Sequence, residues 1–179
     1  LCGQPFDIGA EAFIVRRPEV PALLGELGLA DRQIVPTGVK TTIYSQGRMH
    51  PLPTGTLNGI PGSAEAMSGL VDAATVSRIA GEPDRPLHWR SGSDPAVGEV
   101  VAPRFGEQVV TRSLDPMLSG VYAGSAATIG IRAAAPTLAA ALDDGAPSLT
   151  AAVRAALPAG ATGPVFGAIE GGYRVLIEQ

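Results

Sequence analysis

The sequence predicts an α+β chain that is mostly helical, and three observations carry that expectation. Apolar residues recur at helical spacing in three places: Val20, Leu23, Leu24 and Leu27; Val97, Val100, Val101 and Phe105; and Leu149, Ala152, Val153, Ala156 and Leu157. A β-favouring run, Thr41 to Tyr44, is followed by Gln46-Gly47 and a second run, Arg48 to Leu52, which is the pattern of a hairpin with a two-residue turn. Across 179 residues, 45% are apolar and 17% charged, with mean hydropathy +0.22, which is enough for a packed core and unlike a disordered chain.

Pro5 to Gly9 reads as a short strand entering a glycine turn. The helix on Val20 to Leu27 stops where Gly28 can take the C-terminal cap. After the hairpin, residues 51–62 carry Pro51, Pro53, Gly55, Gly59, Pro61 and Gly62 and read as a shaped loop. Ala64 to Ile79 is expected as one helix, and Glu82 to Gly92 as a polar loop holding Trp89. Asp94-Pro95 is expected to cap the helix that Gly106 ends, with Pro103 spoiling its last turn. Glu107 to Leu118 resumes as a helix interrupted by Pro116, Ser119 to Gly124 forms a glycine-bracketed turn, and Ala133 to Leu142 is a short helix. Ser148 caps the last clear helix, which ends before Pro158. The chain opens on Leu1 and closes on an apolar helical pattern begun after Gly171-Gly172, so it reads as a segment of a longer protein.

Charge and composition exclude several functions. No apolar run approaches the roughly 18 residues of a membrane span, and Cys2, the single cysteine, cannot form an internal disulfide. The net charge of −4 argues against general nucleic-acid binding. There is no G-x-S-x-G elbow, phosphate-binding P-loop or G-x-G-x-x-G turn. His50 and His88 lack partners at metal-ligand spacing and read as surface or loop histidines, so no metal site is expected. Asp143-Asp144 reads as a solvated helix end. Two glycine-rich clusters remain, Phe6 to Phe13 and Leu118 to Gly124, and both suit either helix packing or a flat ligand lying on main chain.

Six motifs, in order, resemble the bacterial protoporphyrinogen and coproporphyrinogen oxidases, most closely the actinobacterial branch. They are Asp7-x-Gly-Ala-Glu-Ala-Phe13; Leu24 to Leu29; His50-Pro-Leu-Pro53 with Gly59-Ile-Pro61; Val97-Gly-Glu99 with Arg104-Phe-Gly106; Asp115 to Gly124; and Pro164 to Gly167 with Gly171-Gly172. The resemblance covers almost the whole chain. It implies the substrate domain and helical lobe of an amine-oxidase-like, FAD-binding flavoprotein: residues 1–15 ending the FAD-binding segment, 16–62 a substrate-binding segment, 63–160 a helical lobe and 161–179 a return toward the FAD domain.

The implied activity is a six-electron, oxygen-dependent oxidation of coproporphyrinogen III to coproporphyrin III, or of protoporphyrinogen IX to protoporphyrin IX, in heme biosynthesis, with hydrogen peroxide as by-product. No catalytic side chain is expected, because the flavin carries the chemistry. Gly9, Ala10 and Glu11 would pass their backbone beside the flavin, Arg16 and Arg17 are the candidates for a substrate carboxylate, and Gly120 and Val121 would close against the macrocycle. A ferrochelatase-type downstream partner and a cytoplasmic location, with membrane-peripheral association as a variant of it, are implied. The sequence departs from the family pattern: it lacks the dinucleotide fingerprint, carries Ala10 where many relatives have proline and Ser125 where they often have Asp, and Pro103 interrupts a run that is usually basic. The chain alone is therefore expected to be inactive. Alternatives are another flavoprotein of the superfamily, an amine oxidase or carotenoid desaturase, or a non-catalytic helical binding module.

Overall fold

The computed structural model describes residues 7–158 and 163–178. They fall into two units, one made of residues 7–39 with 163–178 and the other of residues 40–158.

The first unit is a small sheet against helices. Strands β1 (Phe13–Ile14) and β2 (Gln33–Ile34) both pair antiparallel with β7 (Phe166–Ile169), giving the order β1-β7-β2. Phe13 and Ile169 pack with Leu24 of α1 (Glu19–Glu26) and with Leu29, while Val175 and Leu176 of α9 (Arg174–Ile177) close the cluster. The helix ends as expected, with Gly28 at φ +69°. The expected strand at Pro5 to Gly9 is corrected where it can be seen: Pro5 and Phe6 lie outside the described residues, and Asp7 to Gly9 pair with nothing, because the strand forms at Phe13–Ile14. Asp7 instead accepts a hydrogen bond from the Tyr173 backbone N–H at 2.9 Å. At Gly172, with φ +85°, a Cβ would stand 2.9 Å from the Asp7 carboxylate, so the first and last of the six motifs meet here.

The second unit holds the main core. The expected hairpin forms as β3 (Thr42–Ser45) and β4 (Arg48–Pro51), with Gln46 and Gly47 both at positive φ. Ile43 and His50 face the core, and His50 is buried with a ring nitrogen 3.2 Å from the Ser45 carbonyl, so it is not the surface histidine the sequence suggests. Residues 51–62 contain a second hairpin, β5 (Thr56–Leu57) and β6 (Ile60–Pro61), turned by Asn58-Gly59. Gly59 lies so close to the Ser113 carbonyl that a Cβ would approach it to 2.5 Å. The expected helix from Ala64 to Ile79 is broken by Gly69 at φ +81°, and α2 (Ala73–Ala80) starts at an Asp72 cap that accepts from the Thr75 N–H at 2.8 Å.

Helix α3 (Val97–Phe105) buries Val97, Val101 and Phe105 and retains Pro103 in its last turn. Asp94 does not cap it: Asp94 accepts from the Arg132 N–H at 2.9 Å, and the Pro95 carbonyl is taken by the Ile131 N–H. From Glu107 to Tyr122 the chain is helical throughout, as α4 (Glu107–Val109), a π-helical stretch (Val110–Leu114) and α5 (Asp115–Tyr122). Pro116 lacks an N–H, and the widened turn just before it lets the helix continue where an interruption is expected. The expected turn at Ser119 to Gly124 is largely the end of α5, with Ala123 at φ +51° as the left-handed residue after it. Ala135 divides the next expected helix into α6 (Ile131–Ala134) and α7 (Pro136–Asp143). Helix α8 (Leu149–Ala156) follows, and the Ser148 hydroxyl accepts from the Ala151 N–H at 3.1 Å, as expected of the cap.

One buried ion pair ties the segment that follows α2 to the end of α3 and the start of α8. Glu82 is fully buried; its carboxylate accepts from the N–H groups of Leu149 and Thr150 at 2.8 and 3.1 Å and from the Thr150 hydroxyl at 2.8 Å. Arg104 donates to the same carboxylate through Nε at 2.8 Å and continues to the carbonyls of Glu82, Arg85 and Pro86. Arg78 and Arg85 in turn donate to the Pro103 and Arg104 carbonyls at the end of α3. Burial works to raise the Glu82 pKa, but the Thr150 and Leu149 N–H groups, the Thr150 hydroxyl and Arg104 outweigh it, leaving it below the ordinary value.

Glu82→Ala is therefore expected to lower stability by about 3–5 kcal/mol in chemical denaturation, because Arg104 and the start of α8 lose their partner. The depressed pKa gives stability that is present above the unfolded value near 4.3 and is lost as pH falls through the lower folded value; the variant is expected to show a shallower loss over that acidic range. Gly120 lies inside α5, and no atom comes within 4 Å of the point a Cβ would occupy. Gly120→Ala is accordingly expected to raise the melting temperature, with a gain of about 0.5–1 kcal/mol.

Candidate functional site

In the first unit the sheet has two unlike faces. Side chains alternate along a strand, and Phe13 and Ile169 face the helices while Ile14, Ile34, Phe166 and Ala168 lie on the other side. Ile14 is paired directly with Phe166, and Ile34 with Ala168. Ile14, Ile34 and Phe166 are 46, 45 and 49% exposed, so an apolar strip crosses all three strands without cover from this unit's own helices. A contiguous apolar surface of this kind is the usual mark of a ligand or packing face.

The sequence-derived candidates of this unit border that strip in the chain. Gly9, Ala10 and Glu11 are exposed, lie outside any helix or strand and lead into β1; nothing comes within 4 Å of where a Gly9 Cβ would be. Such open backbone can admit a flat ring at contact distance. Arg16 and Arg17 follow β1 in a turn closed by the Arg17 N–H on the Ile14 carbonyl at 3.1 Å. Both guanidinium groups are on exposed residues, and Arg16 donates to the Gly163 carbonyl at 3.2 Å. The apolar strip itself was not singled out from sequence; the alternation Phe166-Gly167-Ala168-Ile169 carries the signal, but four residues are too few to separate from a turn.

In the second unit Gly120 and Val121 occupy the end of α5, with Val121 64% and Tyr122 47% exposed. This is an apolar helix end instead of a turn, and its backbone is open at Gly120. The unit also holds an open groove of about 700 Å³ between the extended segment Pro86 to Arg90 and one face of α3, walled by Leu87, Trp89, Val100 and Pro103. Trp89 is fixed by its indole N–H, which donates to Asp143 at 2.9 Å. Asp143 also accepts from the Gly92 N–H and from Arg132, and these three donors, the indole first, hold its carboxyl well below the usual range. Asp143 is thus a tether for the Trp89 loop, and the expectation of a solvated helix end fits only its neighbour Asp144, which is exposed.

Among the described residues no group of His, Cys, Asp and Glu is placed to hold a metal ion, and no helix is long and apolar enough to cross a membrane.

Comparison with known proteins places these surfaces in a family. Residues 2–179 match the model of the flavin containing amine oxidoreductases. The chain is 66% identical over 176 residues to a coproporphyrinogen III oxidase of Mycobacterium tuberculosis and 64% identical over 177 residues to that of Mycobacterium leprae. These alignments cover 98% and 99% of this chain, and the chain spans 39% of the length of each relative. A crystal structure from Exiguobacterium sp., assigned as a protoporphyrinogen oxidase, superposes with a TM-score of 0.79 at 27% identity, covering 95% of this chain and 38% of that one. With the family model matching residues 2–179 of the chain and the same α+β arrangement found in a solved relative, the chain belongs to the flavin containing amine oxidoreductase family.

Proposed function

We propose that this chain supplies substrate-facing walls of an FAD-dependent oxidase that converts coproporphyrinogen III to coproporphyrin III in heme biosynthesis, with protoporphyrinogen IX as the other candidate substrate. The observation that carries the reading is the 66% identity over 176 residues to a protein named coproporphyrinogen III oxidase. The surfaces suit the chemistry: a porphyrinogen is a broad apolar macrocycle edged with carboxylates, and the first unit offers an apolar strip with Arg16 and Arg17 at one end of β1.

The residues present fit one part of a flavin. The open backbone at Gly9 to Glu11 can lie along a flat ring, whereas the chain contains no G-x-G-x-x-G turn for a pyrophosphate. When bound, the flavin supplies two-electron oxidation at each of three steps, with oxygen as final acceptor and hydrogen peroxide as by-product. The protein's share is orientation: Ile14, Ile34 and Phe166 exclude water from one face of the macrocycle, and Arg16 or Arg17 grips a propionate. In the second unit, taken by itself, Gly120 and Val121 are the candidates for apolar contact with the substrate, and in the first Glu11 passes its backbone beside the cofactor. A cytoplasmic setting and transfer of the product to a ferrochelatase-type enzyme belong to the same reading.

Arg16→Ala, Arg17→Ala and the double variant test it in the whole enzyme carrying this sequence. A charge-assisted hydrogen bond is worth about 1.5–3 kcal/mol, so the variant lacking the propionate ligand should raise KM for coproporphyrinogen III roughly 10–100-fold with flavin absorbance unchanged. An unaltered KM in the double variant would remove both arginines from the substrate site.

A further inference from the structure

The outward face of the first hairpin carries chemistry that the oxidase reading does not use. Tyr44 and Met49 are directly opposed across β3 and β4, which brings their Cβ atoms to about 4.5–5.5 Å, within reach of a sulfur–aromatic contact. They are 70% and 60% exposed, while the next pair, Ile43 and His50, is buried on the inner face at 5% and 7%. The two-residue turn with Gln46 and Gly47 at positive φ fixes this register, so Met49 cannot move to the inner face without reversing the whole strand. The three methionines of the chain differ sharply in access: Met67 is fully buried in the core, Met117 is partly covered and Met49 stands in solvent.

We propose that Met49 is a peroxide-reactive modification site, and that its oxidation switches the Tyr44–Met49 face from apolar to polar. The thioether sulfur attacks one oxygen of hydrogen peroxide; the S–O bond forms as the O–O bond breaks, sulfur loses two electrons, and the second oxygen leaves as water after proton transfer. The product is a methionine sulfoxide, polar and reducible by a thiol-dependent sulfoxide reductase. Exposure decides which methionine reacts first, and it selects Met49 over Met67. The source of peroxide rests on the oxidase reading, since that enzyme would release it; the site itself rests only on exposure and register.

The test therefore adds hydrogen peroxide directly, so that failure of the site and failure of the oxidase reading are separable. The whole enzyme bearing this sequence, with Cys2 alkylated, is treated with millimolar peroxide and then digested with trypsin and a glutamyl endopeptidase, whose cut after Glu65 puts Met49 and Met67 on separate peptides; these are followed by mass spectrometry, alongside Met49→Leu. The expected result is that the Met49 peptide gains one oxygen at least about tenfold faster than the Met67 peptide, and that retention on a phenyl matrix shortens for the wild type and not for Met49→Leu. Subsequent sulfoxide reductase treatment should restore the original retention. Equal rates at Met49 and Met67, or an equal retention change in Met49→Leu, would overturn the proposal.

Discussion

The second unit depends on what happens to one carboxylate. Glu82 has no access to solvent and would be costly to bury as a lone charge. It is kept ionised by the donors it accepts from: the first two N–H groups of α8, which have no acceptor within their own helix, and the guanidinium of Arg104 at the end of α3. The positive end of one helix and a cation near the negative end of another thus meet at a single anion, as the helix dipoles favour. Arg104 then spreads to three carbonyls in the Glu82 to Pro86 segment, and Arg78 and Arg85 complete the carbonyls that Pro103 and Arg104 expose. The segment so held leads into the extended Leu87 to Arg90 stretch, whose Trp89 is tied separately to Asp143. Removing the carboxylate therefore affects a helix start, a helix end and the loop between them together.

This explains why parts of the fold were legible and others were not. Helices α1, α3 and α8 and the first hairpin follow from local patterns: apolar spacing, Gly28, Ser148 and Gln46-Gly47 each act within a few residues. Glu82 sits in a stretch that reads as polar loop, because its partners are 22, 67 and 68 residues away. Asp94 has the composition of a cap but is recruited by Arg132, 38 residues on. The break at Gly69 and the continuity through Pro116 are decided by a positive φ and by a π-helical turn, and neither has a periodic signature. Four of the six motifs behind the family resemblance have structural uses that composition could not reveal: Asp7 meets Gly172 and Tyr173, Gly59 meets Ser113, and Arg104 meets Glu82.

The candidate site was legible in a different way. Gly9, Ala10, Glu11, Arg16, Arg17, Gly120 and Val121 came from the resemblance, and all are found at exposed positions, the first five beside β1 and the last two at the end of α5. What the residues alone could not supply was the apolar strip of Ile14, Ile34, Phe166 and Ala168, assembled from three strands of which two are two residues long. Its exposure makes sense for a chain that spans 39% of its relatives' length and whose proposed partner in function is a flat, apolar molecule.

Whether these walls belong to a porphyrinogen oxidase is measured most directly by oxygen uptake and porphyrin fluorescence when the whole enzyme bearing this sequence is given coproporphyrinogen III. Fluorescence is expected to rise to that of coproporphyrin III, with three molecules of oxygen consumed for each porphyrin formed and a bound flavin that cycles during turnover. A folded, flavin-loaded protein that leaves the porphyrinogen unoxidised while it oxidises an amine or desaturates a carotenoid would contradict it.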